Sequence, residues 1–461
     1  MSLKGLRPLS LFIASALLSL QGVSAGQGGA QFLGSKKLGY SEEQPILGIS
    51  SIRYDQAHHQ FILLSDDTGA VQNYYSKNAP SRFYSISADH LINQNGIVKH
   101  TSALLEATGD SIVETPIEPN HTVQGIENGQ IDTEGFDFLE DNAFLVASEQ
   151  NAVYPVALTA PWLQLPGWSV RSKLLKVGRD GSLLGVYYFP QEFSNTGWRF
   201  DLKIPHWVPI AYDAEFNWQS TDPDRKGVKR NRGFETVTKI PGTLNYLSIT
   251  EQGILQDEKD WNYLFGPAPS RVLLFSMAES VNRVSDDIKP DAQYYYQPTS
   301  VPEKLYDPLT EVIVQSISDA QAINDHQLLV IEKNFIKKAN RNTVNYSYSE
   351  VYLVDLRDPL PAVPFNGYFG NNSSAVKVST IKHQTTAFPV LRKQLLVSTR
   401  DFEGTFPDFK RLNIEGVTLG PDGADGSKRL VLVSDNGASN PKPKSTDILF
   451  FRIPDKLLEM K

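Results

Sequence analysis

Apolar residues in this chain come in short runs of four to seven, broken by Gly, Pro, Asn and Asp, and no stretch keeps a helical period for several turns. Such runs predict β-strands. Five of them share an ending, an acid usually preceded by a small hydroxyl residue. They are Phe61–Asp66, Phe144–Glu149, Tyr246–Glu251, Leu328–Glu332 and Leu430–Asp435. Each follows a tight turn and an earlier strand, so the unit reads as a hairpin. Three of the first strands carry a carboxylate near their start, at Glu134, Glu235 and Glu415; Ser50 and Ser318 take that position in the other two.

Repeated antiparallel units predict an all-β fold, a β-propeller, and repeated acids predict a charged mouth at its axis. A further strand follows each hairpin, at Arg82–Ile86, Lys173–Val177, Arg271–Phe275, Glu350–Val354 and Asp447–Phe451. The repeats start near Ile49, Asp132, Asn231, Ser316 and Asn413. Their spacing, about 80 to 100 residues, exceeds the ~40–45 residues of familiar blades. Each interval therefore holds one blade with long loops or more than one. Gln394–Ser398 is an extra strand for a sixth blade or for completing the fifth, so five or six blades are expected and six is favoured.

Composition adds limits. The 461 residues carry a formal charge of -8 and no cysteine, which excludes disulfides, a thiolate nucleophile and a zinc–thiolate site. An acidic chain does not attract nucleic acid, so a cation, a sugar or a small ester is the expected partner. The first 25 residues read as a secretory signal. Lys4 and Arg7 precede the apolar run Leu9–Leu20, and Val23-Ser24-Ala25 offers a cleavage site. The expected organisation is a signal peptide over 1–25 and one domain over 26–461, starting at Gly26, exported to the periplasm or the medium with no remaining membrane span.

The chemistry follows from the acids. If the start of each first strand faces the end of the second, Glu134 meets Glu149, Glu235 meets Glu251, and Glu415 meets Asp435. Directly opposite side chains lie roughly 4.5–5.5 Å apart at Cβ, and like charges there repel. A bound divalent cation relieves this, with Ca²⁺ suited to oxygen-only ligands. So does a raised pKa, which would make Glu235 or Glu251 a general acid. So does a neighbouring cation, for which Arg232, Arg411 and Lys333 are placed. The acids can also serve purely as acceptors for backbone N–H groups of neighbouring blades. No Gly-x-Ser-x-Gly elbow or His-Glu-x-x-His is present, which leaves a metal-independent serine esterase without a signature. The turn residues His58-His59 and the loop Gly420–Gly426 read as solvated turns rather than ligand sets.

The wording Thr133-Glu134-Gly135-Phe136, Asn231-Arg232-Gly233-Phe234-Glu235 and Asn413-Ile414-Glu415-Gly416-Val417, each followed by its acid-ended strand, resembles the phytase-like family with "esterase-like activity of phytase". The resemblance covers roughly Gly48 to Arg452 and implies a β-propeller that hydrolyses phosphoesters or other esters with metal assistance. By that resemblance Glu134, Glu149, Glu235, Glu251, Glu415 and Asp435 are candidate Ca²⁺ ligands, with Glu235 and Glu251 catalytic and Arg232 and Arg411 on the substrate phosphate. The sequence departs from the pattern at Thr236, where a Gly follows the acid elsewhere, and throughout the fourth repeat. The competing reading is a non-catalytic propeller that binds a sugar, a peptide or a cell-envelope partner through the Trp198, Trp207 and Trp218 insertion between Gln191 and Arg230.

Overall fold

The computed structural model describes residues 29–39, 46, 48–65, 81–92, 104–106, 112–117, 133–149, 152–153, 168–169, 172–190, 193, 198–201, 206–209, 227–229, 232–258, 267–277, 285–338, 344–361, 368–369, 382–383, 389–435 and 446–460. They are nearly all β, with helical turns only at Ala88–Leu91, Leu255–Glu258 and four 3-10 segments. The segment expected to be a signal peptide lies outside the described residues. Among the described residues no helix is long and apolar enough to cross a membrane.

Most of the described strands gather into five four-stranded antiparallel groups, and six short ones form three two-stranded hairpins. Sheet 1 runs Ile49–Asp55, Gln60–Ser65, Arg82–Ser87, Ile112–Pro116. Sheet 2 runs Thr133–Phe138, Phe144–Ser148, Lys173–Val177, Leu183–Tyr188, with Ser285–Asp287 added in parallel. Sheet 3 runs Phe234–Lys239, Asn245–Thr250, Ser270–Ser276, Pro290–Tyr296. Sheet 4 runs Glu311–Ala322, Gln327–Lys338, Val344–Pro361, Pro389–Ser398. A parallel bridge between Tyr295 and Val390 joins sheets 3 and 4 into one eight-stranded sheet. Sheet 5 runs Asn413–Leu419, Lys428–Asp435, Thr446–Ile453 and is completed by the N-terminal strand Gln31–Gly39, with Leu104–Glu106 beyond it. Thr446–Ile453 thereby has a partner on both sides, which protects an edge that would otherwise be open.

A sixth four-stranded sheet is absent among the described residues. Gln394–Ser398 is the end of the fourth strand of sheet 4. Three strands of sheet 4, of 12 to 18 residues, take up part of the wide spacing of the repeats.

Each second strand is apolar at nearly every position because it is buried on both faces. Phe61 and Leu63 pack toward sheet 5, while Ile62 and Leu64 pack toward sheet 2. The same division produces five separate cores. They lie between sheets 1 and 2, 2 and 3, 3 and 4, 4 and 5, and 5 and 1. The first strands of the five sheets also touch in that cyclic order, so each sheet presents its first strand to a common centre.

At that centre Arg53 and Asp319, both fully buried, form a two-pronged ion pair of 2.7 and 2.9 Å. The pair draws on all five first strands. Asp319 belongs to sheet 4 and accepts from Ser51 Oγ of sheet 1 at 3.2 Å, Thr236 Oγ1 of sheet 3 at 3.0 Å and the Val417 N–H of sheet 5 at 3.0 Å. Arg53 lies over the Phe136 ring of sheet 2 at 5.7 Å and donates to Val417 O and Ala320 O. A charge buried this deeply is stable only when its partners are complete, and here every prong of the carboxylate is met.

Candidate functional site

All five first strands carry a β-bulge at the same height. The pairing skips Ser50 in sheet 1, the Glu134-Gly135 pair in sheet 2, Glu235 in sheet 3, Ser318 in sheet 4 and Glu415 in sheet 5. A bulge lifts a residue out of the ladder and re-aims its side chain. The bulge is why these positions, aligned by eye in the sequence, form one rim. Gly135 and Gly416 follow two of the bulged acids, and the adjacent first strand passes too close for a side chain. A Cβ on Gly135 would stand 2.5 Å from Thr236 Cα, and one on Gly416 would stand 2.8 Å from Ile52 N. In sheet 3 the neighbour leaves room, and Thr236 uses it to reach Asp319 and Ala320 O.

The bulges also correct the pairing expected within each hairpin. Glu235 is not opposite Glu251, whose backbone N–H bonds to Gly233 O instead. Asp435 faces Asn413 rather than Glu415, and Ser148, not Glu149, faces the start of its partner strand. The acids are gathered between sheets instead. Carboxylate oxygens of Glu134 and Glu149 from sheet 2 and Glu235 from sheet 3 all lie within 4.8 Å of one another. Glu149 also accepts the Gly233 N–H at 2.7 Å, and Asp435 accepts the Gly48 N–H at 3.2 Å. These bonds reach from one sheet to the residue just ahead of the next sheet's first strand or its approach, so part of each acid's role is to tie the circle together.

Glu251 and Glu415 have cationic partners. Arg232 Nη1 bonds to both oxygens of Glu251 at 2.8 and 3.0 Å. Lys333 Nζ bonds to both oxygens of Glu415 at 2.7 and 2.9 Å and reaches Glu251 at 4.0 Å. Asn413 Nδ2 adds a bond to Glu415. Arg411 ends a 3-10 turn before sheet 5, and its side chain lies outside the described residues. So do the side chains of Trp198 and Trp207, whose backbone forms a small hairpin, Trp198–Asp201 with His206–Pro209, and all of Asp66 and Trp218.

Burial pushes Glu235 well above the ordinary carboxylate value, and Glu134, Glu251 and Glu149 push it the same way against Lys333. Glu415 is raised by burial in spite of Lys333. Burial works against charge on Lys333, but Glu415, Glu251 and Glu235 outweigh it and hold the ammonium above its usual value.

The fourth repeat differs from its reading in the sequence by one residue. Ile317, just ahead of the bulge, pairs with Glu332, as Thr133 pairs with Ser148. Glu332 thus stands at the hydroxyl position, and Lys333 takes the place of the acid. A one-residue slip turns a strand side chain to the other face. Glu332 accordingly points away from the rim, to Lys393, the Tyr296 hydroxyl at 2.7 Å and the Thr299 N–H at 2.9 Å.

Arg53 and Asp319 were not singled out from the sequence. The signal available was an acid, Asp319, where the related repeats have Gly135 and Gly416. The two expected solvated turns are turns: His58 and His59 are half exposed beside Asp55 and Asp89, and Asp425 closes its loop through Ser427.

The model of the phytase-like family, described as esterase-like activity of phytase, matches residues 44–438. The chain belongs to this family. The match takes in every bulged position and every acid of the rim in this phytase-like chain. No curated protein is matched. Solved structures similar to the phytase-like chain have low identity. One is an S. cerevisiae Dbp5 complex with Nup159, Gle1, IP6 and ADP, at 9% identity, covering 94% of this chain and 97% of that one with a TM-score of 0.27. Another is a luciferin-regenerating enzyme at 7% identity, covering 90% and 94%, TM-score 0.32. A third is a 6-phosphogluconolactonase, so described provisionally, from Bacteroides uniformis at 7% identity, covering 75% and 88%, TM-score 0.22.

Proposed function

We propose that the five sheets are the blades of a β-propeller and that its acidic rim hydrolyses phosphoesters, or related small esters, with a divalent cation, Ca²⁺ being the best fit. The carrying observation is the convergence of Glu134, Glu149 and Glu235 from two sheets within 4.8 Å, at a position where burial already resists charge on Glu235. Three carboxylates supply the oxygen-only donors that a hard cation takes. Family membership supports a hydrolase of this class.

In this reading the six-acid set expected from the sequence narrows to these three: Glu251 and Glu415 already hold cations, and Asp435, which accepts the Gly48 N–H, lies outside the cluster. Their task in this reading is to fix Arg232 and Lys333 beside the cluster, where guanidinium and ammonium can orient a phosphoryl group. A bound cation would neutralise phosphoryl oxygen charge and lower the pKa of a water. Burial and the neighbouring acids favour the protonated form of Glu235, and a bound cation would favour its charged form. The chain would act after export, with the N-terminal signal removed.

The test is phosphate release by the chain from Gly26 onward, supplied with a simple alkyl or aryl phosphate, with Ca²⁺ and with chelator. Release that needs the cation and is lost in Glu235→Gln supports the reading. Equal release in chelator sinks it, and no release under any condition favours the binding propeller.

A further inference from the structure

Sheet 4 does not stop at the rim. Its first strand begins at Glu311, seven residues ahead of its bulge at Ser318, whereas the other four first strands begin one or two residues ahead of theirs. Residues 311–316 stay paired with 333–338, and these with 344–349, so a three-stranded wall rises from the acidic mouth on one side. Cross-strand partners share a face. One face has its own core of Ile336, Tyr348 and Val301, with Ile313, Tyr346 and Leu305 packed on it. The other face carries Lys333 at its foot. Above it come Phe335 between Val314 and Ser347, whose hydroxyl donates to Leu412 O, then Lys337 between Val312 and Val344, so the apolar side chains are Val312 and Val314 of the first strand, Phe335 and Val344, with one ammonium beside them. Phe335 stands about 7 Å up the strand from Lys333. Lys333 Nζ lies 5.7 Å from its ring, so the ammonium and the apolar strip share one surface. Val312 and Val344 are 46% and 39% exposed.

We propose that this face is the specificity surface of the site and takes the apolar alkyl or aryl part of a monoester whose anionic head reaches Lys333. The inference rests on the functional reading above. The occupant follows from continuity, since the apolar strip rises directly from the one rim cation supplied by this sheet. It follows also from charge. Among the described residues, Glu134, Glu149, Glu235, Glu251, Glu415 and Asp435 outnumber the cations bonded to them, Arg232 and Lys333. A single anionic head with an apolar tail meets both the ammonium and the apolar strip of the surface.

The test is binding of two phosphonates, methyl and octyl, by calorimetry in the presence of Ca²⁺, with inositol hexakisphosphate as the polyanion. Phosphonates are not hydrolysed, so the result does not depend on turnover. The octyl compound is expected to bind at least about tenfold more tightly than the methyl compound, as burial of several methylenes allows. Phe335→Ser should remove most of that ratio and leave methyl binding unchanged. Val312→Ser, at an exposed position, should reduce it if Phe335→Ser fails to fold. Equal affinities, an unchanged ratio in the variants, or preference for the hexakisphosphate would overturn the proposal. Octyl preference without turnover of octyl phosphate would instead contradict the hydrolase and leave the surface as a ligand site.

Discussion

Glu235 shows how a single position can hold a site together and strain it. Its carboxyl is buried, raised and crowded by three others. A folded-state pKa above the ordinary 4.5 means the native protein keeps a proton that the unfolded chain has lost. Stability therefore falls as pH rises from the ordinary value toward the raised one. Without added metal, Glu235→Gln should melt at the same temperature as the parent near pH 4 and progressively higher toward pH 8. A gap that stays constant with pH would contradict the assignment. The residue's place on the rim was legible, because the acid recurs at one offset in three repeats. Its company was not. The expected partner was Glu251, but the bulge shifts Glu235 out of register, and a bulge adds one residue without an unambiguous mark in the sequence.

At the scale of the strand, the hairpins were readable because two-sided burial leaves an unbroken apolar run, as in Phe144–Ser148. In the fourth hairpin the acid stands one residue earlier than in the others, so alignment on the acid puts the register off by one. Only the register assigns Glu332 to one face and Lys333 to the other. The wall above the rim was hidden for a related reason. Residues 311–316 and 333–338 mix Val, Ile and Phe with Lys, Gln and Asn, which suits a half-exposed extension and carries none of the acid-ended wording of the repeats. The Glu-Gly wording gains a physical basis here. The glycine allows the neighbouring first strand's backbone to approach. Gly416→Ala would press its methyl on Ile52 N and Ser51 C, and is expected to destabilise by about 1–3 kcal/mol, as overpacking does. A denaturation midpoint unchanged from the parent would show that the approach is not constraining.

Across the whole molecule, the circle of first strands converges on Arg53 and Asp319, and the five cores lie between the sheets around them. Removing one member leaves a buried charge without its partner. Asp319→Ala is expected to cost about 3–5 kcal/mol, while Arg53→Met with Asp319→Leu should recover much of the loss. Comparing urea midpoints of the single and double variants checks this, and a double variant weaker than either single would refute it. The central ion pair also anchors the rim, since Asp319 holds Thr236, the residue next to Glu235.

The account stands or falls on whether Glu134, Glu149 and Glu235 form a cation site. The most direct measurement is a calcium titration of the chain by calorimetry, repeated on Glu235→Gln with its fold checked by circular dichroism. One equivalent of Ca²⁺ should bind with release of a proton, and the variant should lose that binding while keeping its β spectrum. No binding to the parent, or equal binding to a folded variant, would contradict it and leave the acids as the ties between sheets.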